Sequence, residues 1–145
     1  MSKKSVSIYI IDQTLYFKPN ANFKGMQVMM ADTLSCSINE DSSKMAQTLI
    51  DSFDYCKSVE EKPNSNNFKD FIKLTKAKSH IGLIRKAKFV MASKTDGDIN
   101  LLRVEPNYKY KAYCVESDIP PDSYNITDND LNKLGDKIRV VSSLN

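Results

Sequence analysis

The length and composition of the chain are those of one ordinary folded domain, with 145 residues, 41% hydrophobic and 27% charged. These values argue against intrinsic disorder and a coiled coil, and no apolar run approaches the roughly 18 residues of a membrane span. The apolar run at residues 6–11 is too short for a secretory signal. Three cysteines lie 20 and 58 residues apart with a single histidine in the chain, a spacing that indicates neither a disulfide framework nor a metal site. We therefore expect a cytoplasmic protein without a cofactor.

The net charge of +3 is distributed in two regions of opposite sign. Between Lys69 and Lys94 the chain has eight basic residues and one acid, whereas residues 112–131 contain five acids and no base. Surface regions of one sign attract partners of the other sign and say little about the fold. The sequence therefore predicts a binding protein with two charged poles.

The N-terminal third of the chain favours β-structure. Residues 5–18 predict two strands separated by Asp12-Gln13, because β-branched and aromatic residues are concentrated on both sides of that pair. KPNANFKG, residues 18–25, is typical of a loop. Residues 26–38 are apolar and rich in sulfur, and they predict one or two short strands.

Two helices are predicted in the middle of the chain. Beyond a polar start at residues 39–43, Met45, Leu49, Phe53 and Cys56 recur at spacings of four, four and three, which is one apolar face of a helix that ends near residue 57. Residues 60–67 predict a linker. Residues 68–78 then predict a second helix, whose apolar residues again share one face.

A hairpin and an acidic loop are expected next. Residues 84–93 and 99–104 predict two strands joined at Asp96-Gly97, because glycine tolerates the positive φ that a tight reversal needs. Residues 107–115 predict a further strand. Residues 116–123, ESDIPPDS, predict an acidic loop that its two prolines exclude from helix.

The C-terminal segment predicts a helix over residues 128–142. Thr127 with Asp130 three residues later resembles a capping box. The apolar face of this helix repeats at spacings of three, four and three and consists of Leu131, Leu134, Ile138 and Val141.

Catalytic and metal-binding motifs find little support in the sequence. Ser79-His80 lacks the surrounding GxSxG frame of a hydrolase, and a single histidine argues against a nuclease that uses a histidine pair. TDGDIN is not a calcium loop, because the sixth and twelfth positions counted from Asp96 hold Leu101 and Asn107. The four glycines form no phosphate-binding loop. We therefore assign no catalytic residue.

The basic segment leaves three interpretations open. Lysine and arginine side chains neutralise phosphates, so Arg85, Lys86 and Lys88 could belong to a nucleic-acid-binding module over residues 73–94. Aromatic rings that stack on a single strand would then have to come from the tyrosines of residues 107–115. The same charges could instead attract an acidic protein partner, or form a solvated face without a partner.

Three segments carry a combined pattern of helix starts and a hairpin. They are DSSKMAQTLIDSFDYCKS from Asp41, KAKFVMASKTDGDINLLRVEP from Lys86 and SDIPPDSYNITDNDLNKLGDKIR from Ser117. Met45-Ala46 stands at one helix start and Leu134-Gly135 at the other. In order and spacing, these segments resemble the immunity proteins of bacterial contact-dependent growth inhibition systems, which typically show a Leu-Gly pair at both helix starts.

This resemblance implies a fold and a function. The fold would be a single α+β domain over residues 1–145, with a mainly antiparallel β-sheet and two to three helices that include the C-terminal one. The protein would not be an enzyme. It would bind a cognate toxin, commonly a nuclease, and block it in the cytosol of the producing cell.

The acidic loop is one candidate for the contact with such a toxin. A nuclease presents a basic cleft, which the carboxylates of Glu116, Asp118 and Asp122 would complement, with Tyr124 as a buried anchor. An exposed polar loop without a partner is the alternative. Conversely, the basic segment would suit a toxin whose contact surface is acidic.

Overall fold

The computed structural model describes residues 3–144, in which nine strands and four α-helices form an α+β fold. The expected α+β class with a mainly antiparallel sheet is confirmed, with one helix more than the two to three expected. None of the helices in this range is both long and apolar enough to cross a membrane. In chain order the elements are β1 (Lys3–Ile11), β2 (Thr14–Phe23), β3 (Met26–Met29), β4 (Leu34–Ser37), α1 (Ser42–Asp54), β5 (Ser58–Val59), α2 (Asn66–Leu74), α3 (His80–Lys86), β6 (Lys88–Thr95), β7 (Asp98–Asn107), β8 (Ala112–Glu116), β9 (Asp122–Asn125), a 3₁₀ turn (Ile126–Asp128) and α4 (Leu131–Val141).

The strands form one curled sheet in the order β3-β2-β1-β6-β7-β8. The short strands β4 and β5 pair with β2, and β9 pairs with β7 beside β8. Every pairing is antiparallel except that of β5 with β2. The predicted hairpin is confirmed, since Thr95 of β6 pairs with Asp98 of β7. In this turn it is Asp96, with φ of 53°, that adopts the left-handed conformation.

Alternate residues of the central strands face two separate cores. On one face, Val6, Ile8 and Ile10 of β1 pack with the apolar sides of α1 and α4. On the other face, Tyr9 and Ile11 of the same strand join an aromatic cluster beneath α2 and α3. The sheet therefore carries one pair of helices on each face.

The helices α1 and α4 contact each other closely at the start of α1. A Cβ atom added to Gly135 would lie 2.0 Å from the carbonyl oxygen of Ser42. The Ser42 hydroxyl donates to Asp136 Oδ1 at 2.6 Å, and Arg139 donates to the carbonyl oxygens of Ile38, at 2.8 Å, and of Glu40. Glycine is required at position 135 because a side chain there would displace the backbone of α1.

The prediction of a loop at residues 18–25 is wrong, because β2 continues to Phe23 and only Lys24-Gly25 forms the turn. Proline and asparagine are rare in strands, which favoured the loop. The neighbouring strand accommodates Asn20, whose Nδ2 donates to the hydroxyls of Ser5 and Ser7 at 3.0 and 3.1 Å. The amide is thus satisfied although it is buried.

The strand expected at residues 84–93 begins only at Lys88. Residues 80–86 form α3 instead, whose N-cap Ser79 accepts a hydrogen bond from the Gly82 N–H at 3.0 Å. The run of apolar and basic residues fits either structure, and the serine cap decides for the helix.

Two further boundaries differ from the expectation. The strand expected at residues 107–115 begins at Ala112, because residues 108–111 form a turn after β7. The N-cap of α4 is Asp130, which accepts from the Lys133 N–H at 3.1 Å, and not Thr127. Thr127 lies in the preceding 3₁₀ turn, where its N–H donates to Asn125 Oδ1.

Candidate partner-binding surface

A groove of about 700 Å³ lies on the sheet face that carries α2 and α3, where these two helices leave the strands uncovered. Its floor is formed by β1, β6 and β7, and the curl of the sheet raises a rim on each side. One rim is the β2–β3 turn, and the other is the segment that leads into β9. The lining residues are Lys3, Ser5, Gly25, Gln27, Met91, Ser93, Asn100, Leu101, Leu102, Pro121, Asp122 and Ser123.

The floor of the groove combines uncharged polar groups with apolar ones. Ser5 donates to Gln27 Oε1 at 3.0 Å and accepts from Asn20 Nδ2, so a hydrogen-bond network fixes the polar side. Met91 and Leu102 are half-buried and add an apolar side. A concave surface of this kind accepts a chain segment that has both apolar and hydrogen-bonding groups.

The rim that leads into β9 contributes one of the predicted contact residues to the groove. Asp122 lines it and also accepts from Lys137 Nζ at 2.9 Å. Partial burial would raise the pKa of the Asp122 carboxyl, but the hydrogen bonds from Lys137 and from the Ser123 N–H hold this pKa below its ordinary value. Asp122 is therefore charged and already paired within the chain.

The other predicted residues of the acidic loop separate into two kinds. Glu116 ends β8 and Asp118 follows in the loop, and both side chains are exposed. Tyr124 is only 3% exposed, and its hydroxyl accepts from the Asp130 N–H at 2.9 Å. Its ring belongs to the core under α1 and α4, where it supports the start of α4 rather than an exposed contact.

The predicted basic residues lie on different sides of the sheet. Arg85 and Lys86 are exposed in the last turn of α3. Lys88 extends to the opposite face, where its Nζ lies 3.4 Å from the carbonyl oxygen of Ser143, just beyond α4. Arg103 Nη1 contacts the Val141 carbonyl oxygen there at 3.4 Å. Both cations stabilise the negative end of the α4 dipole, so Lys88 has a role within the fold.

Tyr113 connects β8 to α3, a link that sequence reasoning missed. Its hydroxyl lies 2.9 Å from the carbonyl oxygen of Ala87 and 3.2 Å from that of Ile84, both at the end of α3. Its ring stacks on Phe89, with centroids 4.8 Å apart. Burial raises the pKa of this hydroxyl, which keeps it protonated as a donor. Only the two-residue alternation of a strand could have indicated that Tyr113 points inward.

Lys18 is a second group that the sequence did not single out. It is 1% exposed, and its Nζ donates to the carbonyl oxygens of Ala31 and Asp32 at 3.2 and 2.7 Å and to Thr33 Oγ1 at 2.7 Å. Burial lowers the pKa of the ammonium to about 8, although Asp32 counteracts this. Because residues 18–25 were expected to form a loop, the sequence did not indicate that Lys18 occupies an inward position of β2.

Ser79 and His80 contribute to the capping and packing of α3. Ser79 caps α3, and the His80 ring packs edge-on against Phe68 with centroids 4.9 Å apart. Burial lowers the pKa of His80. Across residues 3–144 no group of three or more histidine, cysteine or acidic side chains is arranged to hold a metal ion. The cysteines at positions 36, 56 and 114 are free thiols.

Solved structures share the fold of this chain, among them one from Neisseria meningitidis and one from Yersinia pseudotuberculosis, while no protein-family model and no curated protein matches its sequence. The protein of unknown function NMB0488 from Neisseria meningitidis has a TM-score of 0.77 at 12% identity, over 99% of this chain and 96% of that one. A chain of the CdiA-CT/CdiI toxin and immunity complex from Yersinia pseudotuberculosis has a TM-score of 0.72 at 8% identity, over 99% and 97% of the two chains. At identities this low, the similarity of the structures establishes a common fold and nothing more.

Proposed function

We propose that this chain is an immunity protein, which binds a cognate toxin of contact-dependent growth inhibition and blocks it in the cytoplasm. The observation that carries the proposal is the shared fold with a chain of the toxin and immunity complex from Yersinia pseudotuberculosis, over nearly the whole length of both chains. The three segments that resemble immunity proteins in sequence support the same conclusion. Such a protein acts by stoichiometric binding and not as an enzyme.

The groove and the acidic loop beside it form the proposed toxin contact. Stable protein interfaces bury about 800 Å² on each partner, which requires a surface larger than the groove alone. Glu116 and Asp118 extend the surface beyond the groove rim at Pro121 and Asp122. The exposed carboxylates attract a basic toxin surface over a distance, and the concave floor then excludes water from the contact.

The toxin is proposed to be a nuclease, because an active site that binds phosphates is basic and complements these carboxylates. A protein bound over that cleft would exclude the nucleic-acid substrate without any chemical step. Arg85 and Lys86 lie in the last turn of α3 and do not line the groove, and the proposed toxin contact does not include them.

Co-expression tests the proposal. We expect the gene directly upstream to encode a large exoprotein, and the C-terminal domain of that protein is expressed from an inducible promoter, with or without this chain, while growth and nucleic-acid integrity are followed. We expect growth arrest and nucleic-acid degradation with the toxin domain alone, and protection when this chain is present. Calorimetry should give a one-to-one complex with a nanomolar Kd.

The matched control is the toxin domain from the Yersinia pseudotuberculosis complex. At 8% identity the two chains differ at most aligned positions, so we expect that this chain does not protect against that toxin. Absence of both protection and micromolar binding for the upstream domain would contradict the proposed function.

A further inference from the structure

The layer formed by α2 and α3 is an exposed surface of positive charge. Residues 66–86 contain six basic side chains and one acid, Asp70, and all seven are exposed. Within residues 3–144 none of the six cations forms an ion pair. The basic residues are Lys69, Lys73, Lys76, Lys78, Arg85 and Lys86.

Two cations of α4, on the other face of the sheet, are instead paired with carboxylates. There, Lys133 pairs with Asp128 at 3.3 Å and Lys137 pairs with Asp122 at 2.9 Å. Unpaired cations on a single face give an uncompensated positive potential, which attracts a partner with a dense row of negative charges.

Exposed aromatic rings lie next to this charge, in the turn between β7 and β8. Tyr108 and Tyr110 are 53% and 64% exposed, and they alternate with Lys109 and Lys111. Lys109 Nζ lies 5.6 Å from the centre of the Tyr110 ring. Large aromatic side chains that remain in water offer flat surfaces for another flat group.

The hydrogen bond of Tyr113 joins the two features into one surface. It fixes the start of β8 against the carbonyl oxygens at the end of α3, directly beside Arg85 and Lys86. Tyr110 lies in the turn three residues before Tyr113, so their Cα atoms are at most about 10 Å apart, which is the span of an extended chain. The exposed tyrosines and the cations of α3 therefore lie within reach of one short, extended ligand.

We propose that α2, α3 and the β7–β8 turn together bind single-stranded nucleic acid, with the cations on the phosphates and Tyr108 and Tyr110 stacked on bases. Rows of phosphates match the unpaired cations, and exposed aromatic rings distinguish an unstacked strand from a duplex, whose bases are already stacked. This binding goes beyond the proposed toxin contact, which uses the groove and the acidic loop.

Fluorescence anisotropy with a labelled 20-nucleotide oligo(U) RNA tests the proposal on the full chain. For a single strand, each phosphate contact contributes about −0.7 to the slope of the logarithm of the binding constant against the logarithm of the salt concentration. Four to six contacts therefore predict a Kd that rises roughly 50- to 300-fold between 50 and 200 mM salt. A 20-base-pair RNA duplex should bind at least about fivefold more weakly than the single strand, because the tyrosines have no free base to stack on.

Two variants separate the phosphate contacts from the stacking. Replacing Lys73, Lys78, Arg85 and Lys86 by glutamine should remove about three units of the salt slope. Replacing Tyr108 and Tyr110 by alanine should raise the Kd by about fivefold or more while leaving the slope unchanged. The charge-matched control replaces the exposed residues Lys44, Lys57, Lys62 and Lys133 by glutamine, and it should bind like the wild type.

Several outcomes would overturn the proposal. These are no binding at 50 mM salt, equal binding of the duplex, equal loss in the control variant, or wild-type affinity of the tyrosine variant. If polyglutamate displaced the labelled RNA as well as unlabelled oligo(U) does, the surface would be assigned to an acidic protein partner instead. Because the variants leave the groove and the acidic loop intact, toxin protection should persist in all of them, which separates this result from a failure of the proposed function.

Discussion

Gly135 of α4 lies against the backbone of Ser42 at the start of α1, so closely that a Cβ atom on Gly135 would approach the Ser42 carbonyl oxygen to 2.0 Å. No side-chain rotation can relieve this contact, because the backbone fixes the position of a Cβ atom and the atoms that it would meet belong to the backbone of Ser42. The Leu134-Gly135 pair that suggested an immunity protein in the sequence therefore has a physical role, namely the close packing of the two helices on one sheet face.

Replacing Gly135 by alanine should reduce the free energy of unfolding by at least about 2 kcal/mol, because overpacking outweighs the higher helix propensity of alanine. Urea denaturation measures the effect. The matched control is Gly82→Ala in α3, where the added Cβ would meet only Ser79 Oγ at 3.4 Å, an ordinary contact. The control should be as stable as the wild type or slightly more so, and equal behaviour of both variants would contradict the steric explanation.

Replacing Tyr113 by phenylalanine should cost about 1 kcal/mol of stability, the usual value of a hydrogen bond lost from a partly buried pair. Because the hydroxyl holds the end of α3, amide exchange should become faster in α3 and stay unchanged in α1 and α4. Tyr108→Phe is the control, since Tyr108 is exposed. Unchanged exchange in α3 would mean that the ring of Tyr113, and not its hydroxyl, positions this helix.

The stability of the protein should depend on pH through Lys18. Its pKa is lowered from 10.5 to about 8 in the folded chain. Between these two values the unfolded chain binds more protons than the folded one, so stability rises with pH over this window. Between pH 7.5 and 9.5 the wild type should gain on the order of 1–2 kcal/mol relative to Lys18→Met. Parallel stability curves for the two proteins would show that the ammonium keeps its ordinary pKa.

The acidic loop should control the rate at which the proposed toxin associates. Replacing Glu116 and Asp118 by lysine reverses two exposed charges and should slow association about tenfold at low salt, with a smaller effect at high salt. Stopped-flow fluorescence measures the rate. The control replaces the exposed linker residues Glu60 and Glu61 by lysine, which changes the net charge equally. An equal decrease in both variants would indicate a general charge effect and not a contact at this loop.

Local patterns predicted most of the elements. The helix of Met45, Leu49 and Phe53 and the C-terminal helix follow from apolar spacing, and the Asp96-Gly97 hairpin follows from turn chemistry. These signals depend on residues close in sequence, which is why they could be identified without neighbours in space.

The failures occurred where a distant residue changes the meaning of a local pattern. Asn20 is tolerated in β2 only because Ser5 and Ser7 accept from its amide. The sequence suggested Tyr124 as an anchor of a toxin contact and did not indicate that its pairing opposite Ile99 of β7 places its ring in the core. Neither environment can be inferred from adjacent residues.

The sequence by itself determined the α+β class, the positions of the helices α1, α2 and α4 to within a few residues, and the separation of basic from acidic segments. Only the tertiary structure decided which charges are free and which are paired, because an ion pair such as Asp122 with Lys137 joins residues far apart in the chain. It also decided where surfaces form. The groove and the layer of unpaired cations arise from the curl of the sheet and from which face each helix covers, and these depend on long-range packing.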